Sequence, residues 1–381
     1  MMQPITEAQL AEAVRDATGP LSIRGGGTRH LGNPVTGEVL STTKLSGISL
    51  YEPGALTIVA QAGTPLVEIE AALTKENQRL PFEPMDHRAL LGTKGEPTIG
   101  GIVAANVSGP RRIQAGACRD SLIGLRFVDG LGTAVKNGGR VMKNVTGYDL
   151  VKLLAGSYGT LGVLSEVSFK LLPGIATQAT LIYYGMGWTG TTALMSAAMG
   201  SPFEVSGAGR LPAGTLGPDG AVVLRLEGFA DSVAYRTKAL SDLLSETVGA
   251  PDETVTDKDQ SLGIWAKLRD VEPFSNKEGD VWRISVKPSG LARVGEALGL
   301  GHEDIVVDWA GGLIWVCVPD GTDLRPKLAN IGGHATLIRA SDATKSKLGA
   351  FHPEVAPIQA INAGLRSKFD PRGILNPGLM G

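Results

Sequence analysis

The sequence predicts an α+β protein whose chain changes character at Pro173-Gly174. Before this point short strands alternate with glycine-rich loops, and after it strands and helices alternate in an order that fits a mainly antiparallel sheet. Glycine supplies 52 of the 381 residues, about twice the usual ~7%, which suits a ligand site lined by backbone better than a helical bundle. The 38 acidic and 36 basic residues nearly balance, so nothing indicates a nucleic-acid-binding surface.

The first element that the sequence predicts is a helix over residues 7–17. Thr6 and Gln9 have the spacing of a capping box, and Gly19-Pro20 ends the helical pattern. The other elements expected in the first part are strands at residues 21–23 and 56–61, a helix after Thr64 as its N-cap with Pro65 at the first helical position, a hairpin over residues 123–136, a helix over residues 148–155 and a strand over residues 162–171.

The second part is expected to be an α+β domain. Strands are expected near residues 180–184, 203–208, 221–229, 281–287, 305–307, 313–318 and 336–339, with helices near residues 192–199, 232–248, 291–298 and 322–331. Residues 249–260 (GAPDETVTDKDQ) are acidic and rich in turn formers, which predicts a loop.

A glycine-rich loop, residues 24–30 (RGGGTRH), directly follows the strand at residues 21–23. Consecutive free amides in such a loop form an anion-binding concavity, Arg24 and Arg29 add positive charge, and the Thr28 hydroxyl adds a donor. The loop lacks the Gly-Lys-Ser/Thr ending of a P-loop and the GxGxxG spacing of a dinucleotide fingerprint. Taken alone, it fits a phosphate site and an ordinary glycine-rich turn about equally well.

Two further stretches place small residues where a ligand could approach the backbone: residues 98–106 (TIGGIVAAN) and residues 156–163 (GSYGTLGV). Glycine has no Cβ, so the chain turns through positive φ at little cost and leaves its amides accessible. With the first loop, these stretches indicate a flat or phosphorylated ligand.

The three loops, in this order, resemble those of the flavoproteins that share the FAD-binding fold of vanillyl-alcohol oxidase and p-cresol methylhydroxylase, the PCMH-type fold. In that family the first loop holds the FAD pyrophosphate, the Thr-Ile-Gly-Gly turn passes near the flavin, and the third segment lines the adenine end. Residues 369–378 (FDPRGILNPG) are similar to the family's closing motif. The resemblance implies a PCMH-type FAD-binding domain of two α+β subdomains at residues 1–173, a second α+β domain of the cap or substrate type at residues 174–350, and a segment at residues 351–381 that returns to the FAD domain.

The resemblance also implies the residues that contact FAD. These are Arg24, Gly25, Gly26, Gly27, Thr28, Arg29, Pro97, Thr98, Ile99, Gly100, Gly101, Ala104, Asn106, Asp120, Gly159, Thr160, Gly162 and Val163. Members of the family that bond the flavin covalently at the first loop have histidine directly after the glycine pair. Thr28 has that place here, which implies FAD bound non-covalently.

Within the family, the sequence most resembles the E subunits of bacterial glycolate oxidases (glycolate dehydrogenases), through residues 116–124, 138–150 and 281–285. This implies an FAD-binding subunit of a complex that oxidises glycolate, a small 2-hydroxy acid, to glyoxylate. The implied partners are a D-like FAD-containing catalytic subunit and an iron–sulfur subunit through which electrons leave. No secretory signal and no apolar run of ~18–20 residues occurs, so we expect a cytoplasmic protein that meets the inner face of the membrane only through its partners.

The sequence contains no recognisable catalytic or metal-binding motif. Its 5 histidines are scattered, and the His-x-Gly-Asp-Gly-Asn-x-His motif, which supplies metal ligands and a base in relatives that oxidise 2-hydroxy acids, does not occur. Arg283 fits a carboxylate clamp and a surface ion pair about equally well. Cys118 and Cys317 are expected to be buried thiols, with a disulfide left open.

Two other functions stay open at this point. One is a free-standing FAD-dependent enzyme, either a 2-hydroxy-acid dehydrogenase or a reductase of the cell-wall-precursor type. The other is a structural subunit with an emptied flavin pocket.

Overall fold

The computed structural model describes residues 1–139, 147–299 and 301–381. Residues 140–146, part of the run at 138–150 noted above, lie outside the described residues. The chain forms two compact units: residues 1–108, 116–174 and 353–381 make the first, and residues 109–115 and 175–352 make the second.

The elements of residues 1–174 come first in chain order. They are α1 (Glu7–Asp16), β1 (Leu21–Arg24), β2 (Glu38–Ser41), β3 (Ile48–Glu52), β4 (Thr57–Gln61), α2 (Leu66–Lys75), β5 (Gln78–Arg79), α3 (Arg88–Leu91), α4 (Ile99–Ala104), α5 (Arg112–Ala115, in the second unit), α6 (Cys118–Ser121), β6 (Leu122–Val128), β7 (Ala134–Gly138), α7 (Leu150–Leu154), β8 (Val163–Lys170) and β9 (Leu172–Pro173).

The elements of residues 175–381 complete the chain. They are β10 (Thr177–Tyr184), α8 (Trp188–Gly200), β11 (Gly207–Leu211), β12 (Ala221–Gly228), α9 (Ala230–Ser245), β13 (Glu253–Val255), α10 (Lys258–Arg269), β14 (Asp280–Ser285), α11 (Leu291–Leu298), β15 (Ile305–Asp308), β16 (Leu313–Val318), α12 (Arg325–Leu328), β17 (His334–Arg339), α13 (Asp342–Leu348) and α14 (Ala356–Phe369), the last of which belongs to the first unit.

The first unit is built on a five-stranded sheet in the order β3-β4-β8-β6-β7, whose neighbouring strands are antiparallel. A separate pair, β1 and β2, runs parallel, and Leu375 from the C-terminal segment bridges to Leu21 at its edge. Leu10, Val14, Leu21, Leu40 and Leu375 share one buried apolar cluster. The glycine-rich loop at residues 24–30 therefore leaves a strand that is held by packing on both sides.

The second unit is built on an eight-stranded sheet in the order β13-β10-β12-β11-β15-β16-β14-β17, with antiparallel neighbours throughout. Buried residues of α8, α9 and α11 pack on it in a single apolar core. The expectation of an α+β fold with a mainly antiparallel second sheet is confirmed.

The Thr6 half of the capping box expected for α1 is present, but the Gln9 side chain bonds the N–H of the residue before the cap rather than that of Thr6. Thr6 Oγ1 accepts a hydrogen bond from the Gln9 N–H at 3.2 Å, and Gln9 Oε1 accepts one from the Ile5 N–H at 2.9 Å. Leu10 and Val14 are fully buried, which orients the helix on the β1 side of the unit. Cys118 and Cys317 are free and buried, as expected for thiols rather than a disulfide.

The expectation that Thr64 caps α2 is wrong by one residue. Pro65 is the N-cap, and no side chain caps the helix there. The Thr64 hydroxyl instead donates to the Gln61 carbonyl at 2.7 Å and accepts from the Gly47 N–H at 3.0 Å. These hydrogen bonds fix the turn before the helix, so the Thr64 hydroxyl is not available to cap α2.

The loop expected over residues 249–260 is also wrong. Residues Glu253–Val255 form β13, an edge strand paired with β10, and α10 begins at Lys258. Of this short strand only Val255 is buried. A strand that buries one side chain gives no alternating pattern, and its acidic neighbours resemble a loop in composition.

Two other elements of the second unit have bounds that differ from those expected. The strand expected at residues 203–208 is β11, at Gly207–Leu211, and the helix expected over residues 322–331 is reduced to α12. The strand was misplaced because Arg210 is fully buried on it, with its guanidinium carbon 4.7 Å from the ring centroid of Trp188. A buried arginine interrupts the apolar pattern from which a strand is predicted.

Residues 109–115 are held in the second unit by a buried ion pair. Arg111 Nε donates to both carboxylate oxygens of Glu227, at 3.2 and 3.0 Å, and both side chains are more than nine-tenths buried. Arg225 Nε lies 3.8 Å from the same carboxylate and donates to Ser206 Oγ at 3.2 Å. The buried Glu227 carboxylate thus faces two buried guanidinium groups, and its loss would remove an anion that contacts both.

Glu227 makes the free energy of unfolding of the second unit depend on pH. Burial by itself raises the pKa of Glu227, but Arg225 and Arg111 outweigh burial and lower it from 4.5 to about 2. A carboxyl group whose pKa is lower in the folded state stabilises the fold above its unfolded pKa, and this contribution is lost as the pH falls from about 4.5 towards 2. We expect Glu227→Gln to lower the free energy of unfolding at pH 7 by on the order of 3 kcal/mol and to flatten its decline across that pH range.

Urea unfolding followed by tryptophan fluorescence at several pH values measures this effect. Glu204→Gln is the matched control, because Glu204 also faces an arginine but its side chain is 75% exposed. Equal acid sensitivity in the Glu227→Gln variant and the wild type would contradict the prediction.

Candidate functional site

The first unit contains a cavity, partly open to solvent, that is lined by its glycine-rich loops. The lining residues are Ile23, Arg24, Gly25, Gly26, Gly27, Thr28, Arg29, His30, Leu31, Thr42, Ala62, Thr98, Gly100, Gly101, Ala104, Ala105, Tyr158, Gly159, Gly162, Val163, Leu164, Asn376 and Leu379. Four stretches far apart in sequence therefore meet at one cavity.

The first loop lies against the segment that leads into α4, with backbone touching backbone. A Cβ on Gly26 would lie 1.6 Å from the Glu96 carbonyl oxygen, and a Cβ on Gly95 would lie 1.7 Å from the Gly26 carbonyl oxygen. Gly27 has a φ of +69°, which side chains rarely adopt. Only glycine fits at these positions, so the loop presents bare amides to the cavity.

Thr98 places an unsatisfied hydroxyl beside this loop. Its Oγ1 is buried and makes no hydrogen bond to any residue within 1–139, 147–299 or 301–381. A Cβ on Gly25 would lie 2.5 Å from this oxygen and one on Gly101 would lie 3.2 Å from it, and both glycines line the cavity. A buried polar atom without a partner costs about 1–3 kcal/mol, which a ligand atom in the cavity would recover.

Arg29 brings a desolvated positive charge to the same cavity. Burial lowers the pKa of its guanidinium from 12.5 to about 10, with Asp86 acting in the opposite direction, so the group stays charged at neutral pH. Its Nε donates to His87 Nδ1 at 3.2 Å, which orients the side chain. A buried cation beside free amides favours an anionic ligand.

Asn376 connects the first loop to the third glycine segment. Its Oδ1 accepts from the Ile23 N–H at 2.7 Å, and its Nδ2 donates to the Tyr158 carbonyl at 2.8 Å. Tyr158 and Asn376 both have positive φ, 52° and 43°. This C-terminal side chain therefore sets how strand β1 approaches Gly159.

Comparisons with known proteins agree with this geometry. Residues 1–138 match the family described as FAD binding domain. Over 98% of its length the chain is 37% identical to glycolate oxidase subunit GlcE of Escherichia coli (strain K12), and it covers 95% of that protein. The chain belongs to this family of FAD-linked oxidoreductases.

Other members of the family match over different lengths. Glycolate oxidase subunit GlcD of Bacillus subtilis (strain 168) is 30% identical, with 95% of this chain and 83% of that protein covered. D-lactate dehydrogenase of Archaeoglobus fulgidus is 32% identical over 42% of this chain and 35% of its own length. The solved structure of alkyldihydroxyacetonephosphate synthase superposes with a TM-score of 0.69 over 98% of this chain and 76% of its own, at 14% identity, and so shares the fold.

The cavity of this family member suits FAD. FAD carries a pyrophosphate, for which the amides of the first loop and the Arg29 cation are suitable partners, and the Thr98 hydroxyl is a donor that the protein itself leaves unused. The glycines around it leave room for a ligand to approach the backbone. As a member of this family the chain is an FAD-binding oxidoreductase.

The residues expected to contact FAD fall into two groups. Arg24, Gly25, Gly26, Gly27, Thr28, Arg29, Thr98, Gly100, Gly101, Ala104, Gly159, Gly162 and Val163 line the cavity. Pro97, Ile99, Asn106, Asp120 and Thr160 do not. Of these, Ile99 is fully buried, Asn106 Oδ1 accepts from the Arg119 N–H at 3.0 Å, and Asp120 Oδ2 accepts from the Ala117 N–H at 2.8 Å.

Some lining residues gave no sequence signal. Strand pairing and chain reversal bring these residues to the cavity: Ile23, Thr42, Ala62, Leu164 and Leu379. Asn376 had a signal, because it belongs to the closing motif at residues 369–378, but only the fold shows what it contacts.

The second unit has a cluster of cationic side chains around Trp309. The guanidinium carbons of Arg112 and Arg283 lie 4.2 and 5.1 Å from the Trp309 ring centroid. Burial lowers the pKa of His334, and the charges of Arg283, His352 and Arg112 lower it further. Such a cluster is a suitable partner for a small anion.

The remaining observations concern a buried tryptophan, metal binding and membrane-spanning helices. Trp282 is fully buried and its indole N–H donates to the Thr322 carbonyl at 3.1 Å. Across the part of the chain that the structure describes, no three His, Cys, Asp or Glu side chains are placed to hold a metal ion. None of the described helices is long and apolar enough to cross a bilayer.

Thr98→Val should change apoprotein stability and FAD binding in opposite directions. The substitution keeps the shape and removes a buried hydroxyl that the protein does not satisfy, so we expect an unchanged or slightly higher unfolding temperature for the apoprotein. FAD affinity should fall about tenfold, because one hydrogen bond of ~1.4 kcal/mol is lost.

Thermal unfolding of the apoprotein gives the unfolding temperature. FAD titration followed by flavin fluorescence gives the FAD affinity. Thr57→Val serves as control, because Thr57 is similarly buried but its hydroxyl donates to the Ala55 carbonyl at 3.0 Å. This control should lose stability and keep its FAD affinity. Unchanged FAD affinity in Thr98→Val would remove this hydroxyl from the site.

Proposed function

We propose that this protein is the FAD-binding subunit of a complex that oxidises glycolate to glyoxylate. The observation that carries the proposal is the 37% identity to a glycolate oxidase subunit over 98% of the chain, together with an intact glycine-lined cavity. An emptied pocket would have no need to keep a desolvated arginine and an unsatisfied hydroxyl, both of which cost stability.

The residues of the cavity would hold FAD by three kinds of contact. The amides of residues 25–28 and the Arg29 cation would bind the pyrophosphate, and the Thr98 hydroxyl would donate to an oxygen or nitrogen of the cofactor. When bound, FAD supplies the capacity to accept a hydride and to pass electrons on singly. We propose that it is bound non-covalently, because Thr28 has the place that histidine takes in covalent relatives.

Substrate oxidation is assigned to a partner. Removing the Cα hydrogen of a hydroxy acid requires a base within hydrogen-bond reach of the hydroxyl and a cation or metal ion at the carboxylate. The sequence lacks the His-x-Gly-Asp-Gly-Asn-x-His motif that supplies metal ligands and a base in related oxidising enzymes. We therefore place the chemistry on a D-like FAD-containing subunit, from which electrons pass to an iron–sulfur subunit and a membrane quinone. The complex would meet the inner face of the cytoplasmic membrane through these partners.

A second candidate, a free-standing FAD-dependent 2-hydroxy-acid dehydrogenase, is favoured by one observation. Arg112, Arg283 and His334 gather at Trp309 in the second unit, where they could bind the carboxylate of a small substrate. The cluster would supply the clamp but not the base.

Glycolate turnover with an artificial electron acceptor separates the two candidates. We expect no turnover by the purified chain alone and full turnover when it is co-expressed with the D-like and iron–sulfur subunits. Turnover by the chain alone that disappears in Arg283→Met would establish the second candidate. In the assembled complex, Gly26→Val, which forces a side chain into the Glu96 carbonyl, should remove this chain's FAD and so report whether that FAD lies on the electron path.

Acid precipitation tests the mode of FAD binding. Because Thr28 offers no imidazole for a covalent bond, all of the flavin absorbance is expected in the supernatant after the protein is denatured. Wild-type protein and a relative with a covalently bound flavin are treated side by side. Flavin that stays in the pellet of this protein would contradict non-covalent binding.

A further inference from the structure

The Arg29 guanidinium is anchored on one edge and lies at the cavity wall with the other. Its Nε donates to His87 Nδ1 at 3.2 Å, and its Nη2 donates to the Met85 carbonyl at 3.4 Å. On the other side, a Cβ on Gly101 would lie 3.7 Å from Arg29 Nη1, and Gly101 is part of the cavity lining. The contacts with His87 and Met85 therefore decide where this cation stands in the cavity.

The hydrogen bond from Arg29 defines the protonation state of His87. The N–H groups of arginine only donate, so His87 Nδ1 must offer a lone pair, which places the imidazole proton on Nε2. The Met85 carbonyl oxygen lies 3.3 Å from the same Nδ1. Two acceptors are thus brought together, and the Arg29 cation donates to both of them.

His87 stands on a well-fixed piece of backbone. Its side chain is buried, and its carbonyl accepts from the Leu91 N–H at 2.9 Å at the start of α3. Asp86 Oδ1 accepts from the Arg88 N–H at 2.9 Å, and the Arg88 guanidinium pairs with Glu96 at 3.1 Å. An acceptor with such support can hold a long side chain in one orientation.

We propose that His87 is a positioning residue for the cofactor, because it holds the Arg29 guanidinium at the cavity wall before FAD binds. The inference rests on the proposed function, in which Arg29 binds the FAD pyrophosphate. Arginine has several rotatable bonds, and fixing them costs conformational entropy. Because His87 and Met85 already fix Arg29 in the folded protein, this cost does not reduce the affinity for the cofactor.

A role of His87 in packing alone would give a different result. A buried side chain that only fills space is replaced best by an apolar residue of similar size, such as leucine. A side chain that acts as an acceptor is replaced best by asparagine, whose amide oxygen can take the place of Nδ1. The two roles therefore predict opposite orders of FAD affinity for His87→Leu and His87→Asn.

The experiment is titration of the apoproteins with FAD, followed by flavin fluorescence. We expect His87→Leu to bind FAD about tenfold more weakly than the wild type, because the Arg29 Nε–H loses its acceptor and the guanidinium its orientation. His87→Asn should bind FAD within about threefold of the wild type, because the acceptor is restored.

Gln78→Leu is the matched control. It also removes a side-chain acceptor from the first unit, in this case the acceptor of the Tyr51 hydroxyl at 3.1 Å. Both residues lie outside the set that lines the cavity, so the FAD affinity of this variant should equal that of the wild type.

A double-mutant cycle tests whether His87 acts through Arg29. Once Arg29→Met has removed the cation, adding His87→Leu should weaken FAD binding no further. The double variant has no Arg29 N–H in need of an acceptor, so this comparison decides the point even where His87→Leu alone does not fold. A further loss of affinity in the double variant would show that His87 acts independently of Arg29, and would overturn the inference.

ADP tests whether the pyrophosphate is the group that this cation serves, because it carries the pyrophosphate without the flavin. Measured by competition with FAD, the affinity for ADP should fall in His87→Leu by the same factor as the affinity for FAD. An unchanged ADP affinity in a variant that binds FAD more weakly would overturn this part of the inference.

The outcomes separate the positioning role from the proposed function. Wild-type FAD affinity in His87→Leu, or an affinity in His87→Asn as low as that in His87→Leu, overturns the positioning role and leaves the proposed function standing. Wild-type protein that binds no FAD overturns the proposed function, and the positioning role with it.

Discussion

The candidate site depends on one close contact between two backbones. Gly26 and Gly95 cross so tightly that a Cβ on either would lie within 1.7 Å of a carbonyl oxygen of the other strand of chain. This crossing holds the first loop against the segment that enters α4, and so brings its amides beside the hydroxyl of Thr98. The unsatisfied donor and the desolvated Arg29 cation are consequences of that geometry. Both cost free energy in the apoprotein, which an anionic ligand in the cavity would recover.

The C-terminal segment completes what the crossing begins. Asn376 joins β1 to the glycine segment at Tyr158, and Arg372 donates to the carbonyls of Arg15 and Ala17 at the end of α1 and to that of Gly130. An arginine at a helix C-terminus satisfies carbonyls that have no partner within the helix. Residues from the two ends of the chain therefore build one support for the cavity.

The two units differ in where their buried charged side chains lie. In the first unit buried charge gathers around a cavity, which is the pattern of a binding site. In the second unit Arg111, Arg225 and Glu227 satisfy one another in the interior, while Arg112 and Arg283 stack on Trp309 near His334. The buried group of Arg111, Arg225 and Glu227 stabilises the fold of the second unit. The two arginines on Trp309 are suitable partners for an anion.

The sequence by itself determined the features that local chemistry dictates: the Thr6 N-cap of α1, the three glycine loops and the α+β class with a mainly antiparallel second sheet. Each depends on residues close together in the chain, so short-range steric and hydrogen-bonding rules suffice. Only the tertiary structure decided the rest. Thr64 does not cap α2 because its hydroxyl accepts from the N–H of Gly47, 17 residues away in the chain. Arg210 and Arg225 lie in the core because Trp188 and Trp265 cover them, and Asn376 enters the site because Ile23 lies beside it although 353 residues separate them. Such contacts join segments that are remote in sequence, and no local pattern records them.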